Sequence, residues 1–241
     1  MARGYSLASS LATKLGDDPL AWVLADRGLA VARETADGLT IAAATHTVAI
    51  TMRREGHHTT ALALLTTTAE RLGADRHGAS PELLAAFGNL MCTAAYCSAQ
   101  AGQAADAATY IGEAATAAAR IGDSRVSGVI PFSQASVTVY EIGMHSALGD
   151  SAAALQSAAA VQPAQLASPE RYGRYCVDTA RAWALHGRPD RAVQALLLAE
   201  RHAGEEVRRP SVRDLVATLL HAPTTSPPGL RSLAGRIGAH T

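Results

Sequence analysis

Five near-evenly spaced copies of one short pattern limit what this chain can become. A glycine followed five residues later by an alanine occurs at Gly16/Ala21, Gly56/Ala61, Gly102/Ala107, Gly149/Ala154 and Gly187/Ala192. Successive glycines stand 40, 46, 47 and 38 residues apart. Self-similarity at a near-constant period marks a repeat architecture, in which each unit buries its apolar stripe on its neighbours. A glycine at each step takes the left-handed conformation that ends a helix, and a small alanine lets the next helix pass close to the last.

The residues between the marks read as helix. Apolar positions recur every three to four residues, as at Leu20, Val23, Leu24 and Leu29, and at Leu62, Leu65, Ala69 and Leu72. Alternating β-branched and aromatic runs are absent, so no strand is predicted. Helix starts are expected at Asp17/Asp18-Pro19, Ser80-Pro81, Ser168-Pro169 and Arg188-Pro189, where Pro follows a capping or turn residue. Further stops are expected at Gly73, Gly122 and Gly204. After Ala107, Ile111 and Ala114 alternate large and small, and Leu196 and Ala199 do the same after Ala192. That alternation suits the second helix of a tetratricopeptide hairpin, although the period exceeds the usual repeat of roughly 34 residues.

The expected fold is therefore all-α: one domain over 1–241, a tetratricopeptide-like superhelical array of about five antiparallel hairpins. An irregular loop at 122–134, with Val129, Ile130 and Phe132, is expected to fold over it. Two short helices, Val212–His221 and Leu230–Ile237, joined by APTTSPPG, are expected to cap it within 210–241.

Composition narrows the function. An apolar content of 48% with a formal net charge of zero supports a packed core and argues against disorder. The balance of 21 basic and 21 acidic residues argues against a domain that grips phosphate backbone by charge. The N-terminus MARGYSLASSLATKLGDD has no signal-peptide core, and no apolar run approaches the roughly 18–20 residues that span a bilayer. Cys92, Cys97 and Cys176 match no zinc or CxxC spacing, so reduced core cysteines and a cytoplasmic protein without metal or cofactor are expected.

Three segments carry a family resemblance: LAWVLADRGLAVARE, the run RYCVDTARAWALHGRPDRAVQALLLAERHAGEEVRRPSVRDLV, and GLRSLAGRIG. They resemble the C-terminal helical-repeat half of bacterial XRE-type helix-turn-helix regulators, and the likeness covers nearly the whole chain. It implies an array that dimerises and senses a small molecule or peptide. The family's DNA-reading domain has no counterpart in the roughly 16 residues before Asp17, so no specific DNA binding by this chain is expected.

Counting along the first helix of each hairpin gives the inner-face positions His46 and Arg53, Asn89 and Tyr96, Ser136 and Val139, and Arg174 and Arg181. Arg and Asn there suit a peptide backbone or an acidic small molecule, and Tyr96 adds a flat apolar body. As solvated or ion-paired residues of a repeat they need no ligand. Gln134 and Tyr140, just past the irregular loop, form a polar pair for a pocket. A second reading is a cofactor-independent biosynthetic cyclase or isomerase, with Glu141, His145 and Asp178 as acid–base groups. Ordinary i,i+4 and i,i+3 pairing accounts for these three equally well. A third reading is a protein–protein scaffold. His57-His58 lacks a third ligand at helical spacing and is read as surface, and Trp22 and Trp183 as core.

Overall fold

A computed structural model describes residues 1–74, 78–122, 131–166, 168–222 and 226–239. Among them the chain is helical throughout, with no strand. Five hairpins come first: α1 (Ala2–Leu15) with α2 (Asp18–Glu34), α3 (Gly38–Arg54) with α4 (His58–Leu72), α5 (Pro81–Gln100) with α6 (Ala104–Ile121), α7 (Gln134–Ala147) with α8 (Ser151–Ala160), and α9 (Pro169–Leu185) with α10 (Pro189–His202). Then come α11 (Gly204–Val207), α12 (Pro210–Leu220) and α13 (Leu230–Ile237). No described helix is long and apolar enough to cross a membrane.

The five marked glycines all sit inside hairpins, with φ between +75° and +83°. Each turn repeats the same bonds. The residue after the glycine donates its N–H five residues back: Asp17 to Ala12, His57 to Met52, Gln103 to Ser98, Asp150 to His145 and Arg188 to Trp183, at 2.8–3.0 Å. That is the long bond of a Schellman cap. The carbonyl of the same residue then accepts the N–H of the marked alanine four residues on, opening the next helix. One residue thus closes one helix and starts another, and the tight turn forces the pair antiparallel. All five marked alanines are completely buried.

The links between hairpins vary: residues 35–37, 73–80, 122–133 and 161–168. Together with the helix lengths they set the uneven period: the 38-residue step has a longer link than the 40-residue step but contains α8, of only 10 residues. The first closes on Ala36, whose φ of +55° is left-handed without glycine, ahead of the Asp37 cap that accepts from Thr40. The expected stop at Gly204 is corrected by the structure. The chain breaks at Ala203, which is extended (φ −153°), and Gly204 opens the short α11 instead. Of the expected loop at 122–134, residues 123–130 lie outside the described residues. So do 223–225 of the C-terminal link.

The chain forms two compact units, Met1–Thr13 with Asp17–Tyr140, and Lys14–Gly16 with Glu141–Thr241. In the first, α5 packs against α3, α4 and α6 and is buried on nearly every side. Contact between α3 and α5 joins the first helices of two successive hairpins. The Phe132 ring lies over Gly88 of α5, where any Cβ would come within 2.1 Å of it, so this end of the long link is pinned to the core. In α1 the small Ala2, Ser9 and Ala12 face inward, while Leu7 and Leu11 are 61% and 58% exposed. In the second unit, α9 packs against α8, α10, α11 and α12, around Val177, Leu196, Val212, Leu230 and Leu233.

The turns can be tested with two glycines that have open space around them. Nothing lies within 4 Å of a Cβ at Gly102 (φ +75°) or at Gly112, inside α6. Gly102→Ala is expected to destabilise by about 1–2 kcal/mol through the left-handed backbone alone. Gly112→Ala is expected to stabilise by about 0.5–1 kcal/mol through helix propensity. Urea denaturation reads both signs.

Candidate functional site

In the first unit the inner-face residues fall into a closed part and an open part. His46 and Asn89 are only 8% and 4% exposed, and Asn89 turns its amide back to donate to the Ala85 carbonyl at 3.0 Å. Seven residues further along each helix, about 10 Å at 1.5 Å per residue, the side chains reach water. The Arg53 guanidinium carbon stands 4.4 Å from the centroid of the Tyr96 ring. Its Nη1 donates to Gln100 Oε1 at 2.9 Å in a solvent-exposed bond. Its Nε is buried and meets no acceptor.

No carboxylate lies within 4.0 Å of the Arg53 guanidinium among the described residues. The adjacent Arg54 differs: Asp18 takes its Nε and Nη2 at 2.7 and 2.9 Å. Below Tyr96, burial pushes the Cys97 thiol up to about 11, against the pull of the Arg53 charge. A thiol held neutral in this way is an inert packing group. Burial likewise takes Cys176 to about 11.

In the second unit the predicted arginines are tied to a neighbour. Asp178, 4% exposed, accepts from Arg174 Nε and from Arg181 Nη1, both at 2.8 Å. Arg181 also donates to Ser211 Oγ at 2.9 Å, joining α9 to the first turn of α12. A second cluster centres on Glu206 of α11, which is fully buried against Gly173 of α9. Its Oε1 accepts from Arg209 at 2.6 Å and lies 3.4 Å from Lys14 Nζ, and Lys14 also donates to Glu170 at 2.5 Å. Burial raises the Glu170 carboxyl, but the hydrogen bond and charge of Lys14 outweigh it and hold the group below its ordinary value.

The remaining candidates are placed as follows. Gln134 is exposed at the start of α7, and Tyr140 is half-buried in the same helix. Ser136 pairs with Ser133 at 3.3 Å, and Val139 is core. Glu141 and His145 are half-buried, with no hydrogen bond or ion pair between them. Asp178 has both carboxylate oxygens committed to arginines. Trp22 and Trp183 are half-buried rather than core, each with its ring near edge-on to a turn histidine, His57 or His186. Among the described residues no group of three or more metal-type ligands is assembled.

Sequence reasoning missed Gln100, Lys14, Glu206, Arg209 and Ser211. Gln100 was within reach, one turn after Tyr96 on the same face. Glu206 and Arg209 carry only an i,i+3 spacing, and Lys14 and Ser211 carry no local signal.

Asp178→Ala would leave two guanidiniums facing each other without their shared anion. Removing one partner of a buried pair destabilises by about 3–5 kcal/mol. Arg174 and Arg181 keep part of their hydration, at 31% and 25% side-chain exposure, so about 2–3 kcal/mol is expected. Guanidinium denaturation of the variant measures it.

Comparison of the chain with protein-family models, curated proteins and solved structures finds no match, so function has to be read from side-chain geometry.

Proposed function

We propose that this chain is a tetratricopeptide-like binding protein of regulatory type. It takes a small molecule or peptide on the face lined by the first helices of its hairpins, α3 and α5 above all. The observation that carries the reading is the Arg53–Tyr96–Gln100 cluster, where two such helices meet and place a cation, an aromatic ring and an amide together at the surface. The five identical turns and the α3–α5 contact support a superhelical array. The resemblance to the sensing half of XRE-type regulators agrees with a ligand-responsive role in the cytoplasm, without DNA reading by this chain.

Pairing with a second copy belongs to the same reading. The outward leucines of α1, Leu7 and Leu11, supply an apolar stripe for it. Light scattering is expected to show a dimer that Leu7→Glu/Leu11→Glu converts to monomer, and an unchanged mass in the double variant counts against this interface.

A thermal-shift screen of metabolite and peptide libraries tests the binding. A ligand at a hundred times its Kd adds about 2.7 kcal/mol, which is several degrees for a chain of this size. Amide and ring resonances of α3 and α5 are expected to shift with each hit. Hits that map elsewhere, or sequence-selective DNA binding by the chain alone, would overturn the reading.

A further inference from the structure

The charges around the α3–α5 cluster define the ligand more narrowly. Four other half-buried arginines come with their anions: Arg54 with Asp18, Arg174 and Arg181 with Asp178, Arg209 with Glu206. Arg171 forms no ion pair among the described residues, but its charge acts on the neighbouring Glu170 carboxyl and helps to hold it down. Arg53 is half-buried and has no carboxylate partner among the described residues. A partly desolvated guanidinium without a counter-charge attracts an anion more strongly than one in open water, because the local dielectric is lower.

The hydrogen-bonding inventory points the same way. Gln100 directs its acceptor oxygen at Arg53 Nη1, which leaves its NH2 to offer two donors. The Tyr96 hydroxyl has no hydrogen-bond partner among the described residues and is free to donate. Arg53 can only donate. The surface therefore presents a planar cation, an amide donor and a phenol donor, so donors outnumber acceptors.

The approach is set by burial. Nε is closed off from solvent, whereas the bond from Nη1 to Gln100 is exposed. An anion therefore meets the guanidinium end-on, across Nη1 and Nη2. The Tyr96 ring lies on its face at 4.4 Å and holds its plane by cation–π attraction. A planar fork of two parallel donors fits a carboxylate.

We propose that Arg53, positioned by Tyr96 and Gln100, binds the carboxylate of the ligand, whether that group belongs to a small organic acid or to the C-terminus of a peptide. This rests on the α3/α5 binding reading above and specifies the chemistry of its anchor.

Titrations of the full chain followed by NMR of the Arg53 and Tyr96 side chains, with matched acid and amide probes, test it. The probes are benzoate against benzamide, and N-acetyl-Ala-Ala with a free C-terminus against its C-terminal amide. Inorganic phosphate is the tetrahedral control. The expected result is saturable binding of at least one acid, with its amide at least tenfold weaker and phosphate weaker than the acid. Benzoate alone would assign a small acid, and the free peptide alone a chain end.

Arg53→Gln is expected to lose tenfold or more. Arg53→Lys should lose several-fold because it lacks the fork, Tyr96→Phe should lose a few-fold, and Arg231→Gln, at an exposed position of α13, should lose nothing. Circular dichroism confirms that each variant is folded. An amide that shifts α3 and α5 as tightly as its acid, or an Arg53→Gln variant that binds normally, would overturn the carboxylate while leaving the binding face standing. So would phosphate binding tighter than both acids. Failure of both acids to bind overturns the carboxylate as well. The binding face itself fails only if library hits also avoid α3 and α5.

Discussion

The fold depends on one turn used five times. A left-handed glycine, a residue whose N–H closes the helix behind and whose carbonyl opens the helix ahead, and a buried alanine a turn later form one unit of geometry. The bond network fixes the direction in which the second helix leaves. The alanine keeps the gap at that point to the size of a methyl group. Once the turn is made, the two helices lie antiparallel and their apolar stripes share one side. Stability then comes from packing between helices, since pieces this short are marginal alone in water. Variation lies in the links between hairpins and in the helix lengths, which is why the period wanders while the turn does not.

That division also explains what could be read from the amino acids. The hairpin turns were legible because glycine at a left-handed position and alanine at a close approach have few substitutes. The Pro-led starts of α2, α5, α9 and α10 were legible for a similar reason, since proline presets φ. The turn at Ala36 gave no such cue: alanine is left-handed there because the Asp37 cap and the Thr35 and Ala36 bonds back to α2 hold it. Gly204 misled in the opposite way. It looked like a stop, but Ala203 makes the break and the glycine starts a four-residue helix.

The candidate site was legible to the extent that it follows helical register. Counting positions brought Arg53 and Tyr96 to one face, because a seven-residue step keeps a helix on the same side. Register says nothing about depth. His46 and Asn89 share that face and are buried, while Arg53 and Tyr96, two turns on, are reachable. Nor does register predict which charges cancel. Arg174, Arg181 and Asp178 were picked separately as ligand and catalytic groups, yet they neutralise one another. A charge left over is a property of the assembled fold.

Lys14, the single lysine of the chain, has a chemical consequence of its own. Its amine is held between Glu170 and the fully buried Glu206, with a side chain only 27% exposed. Held between those two carboxylates, it is shielded from reagents that acylate amines. The twenty arginines carry the rest of the basic charge and are inert to that chemistry. The protein is thus close to blind to lysine acylation, and where acylation does reach Lys14 it removes the cation from one junction of α9 and α11 and leaves two carboxylates facing each other.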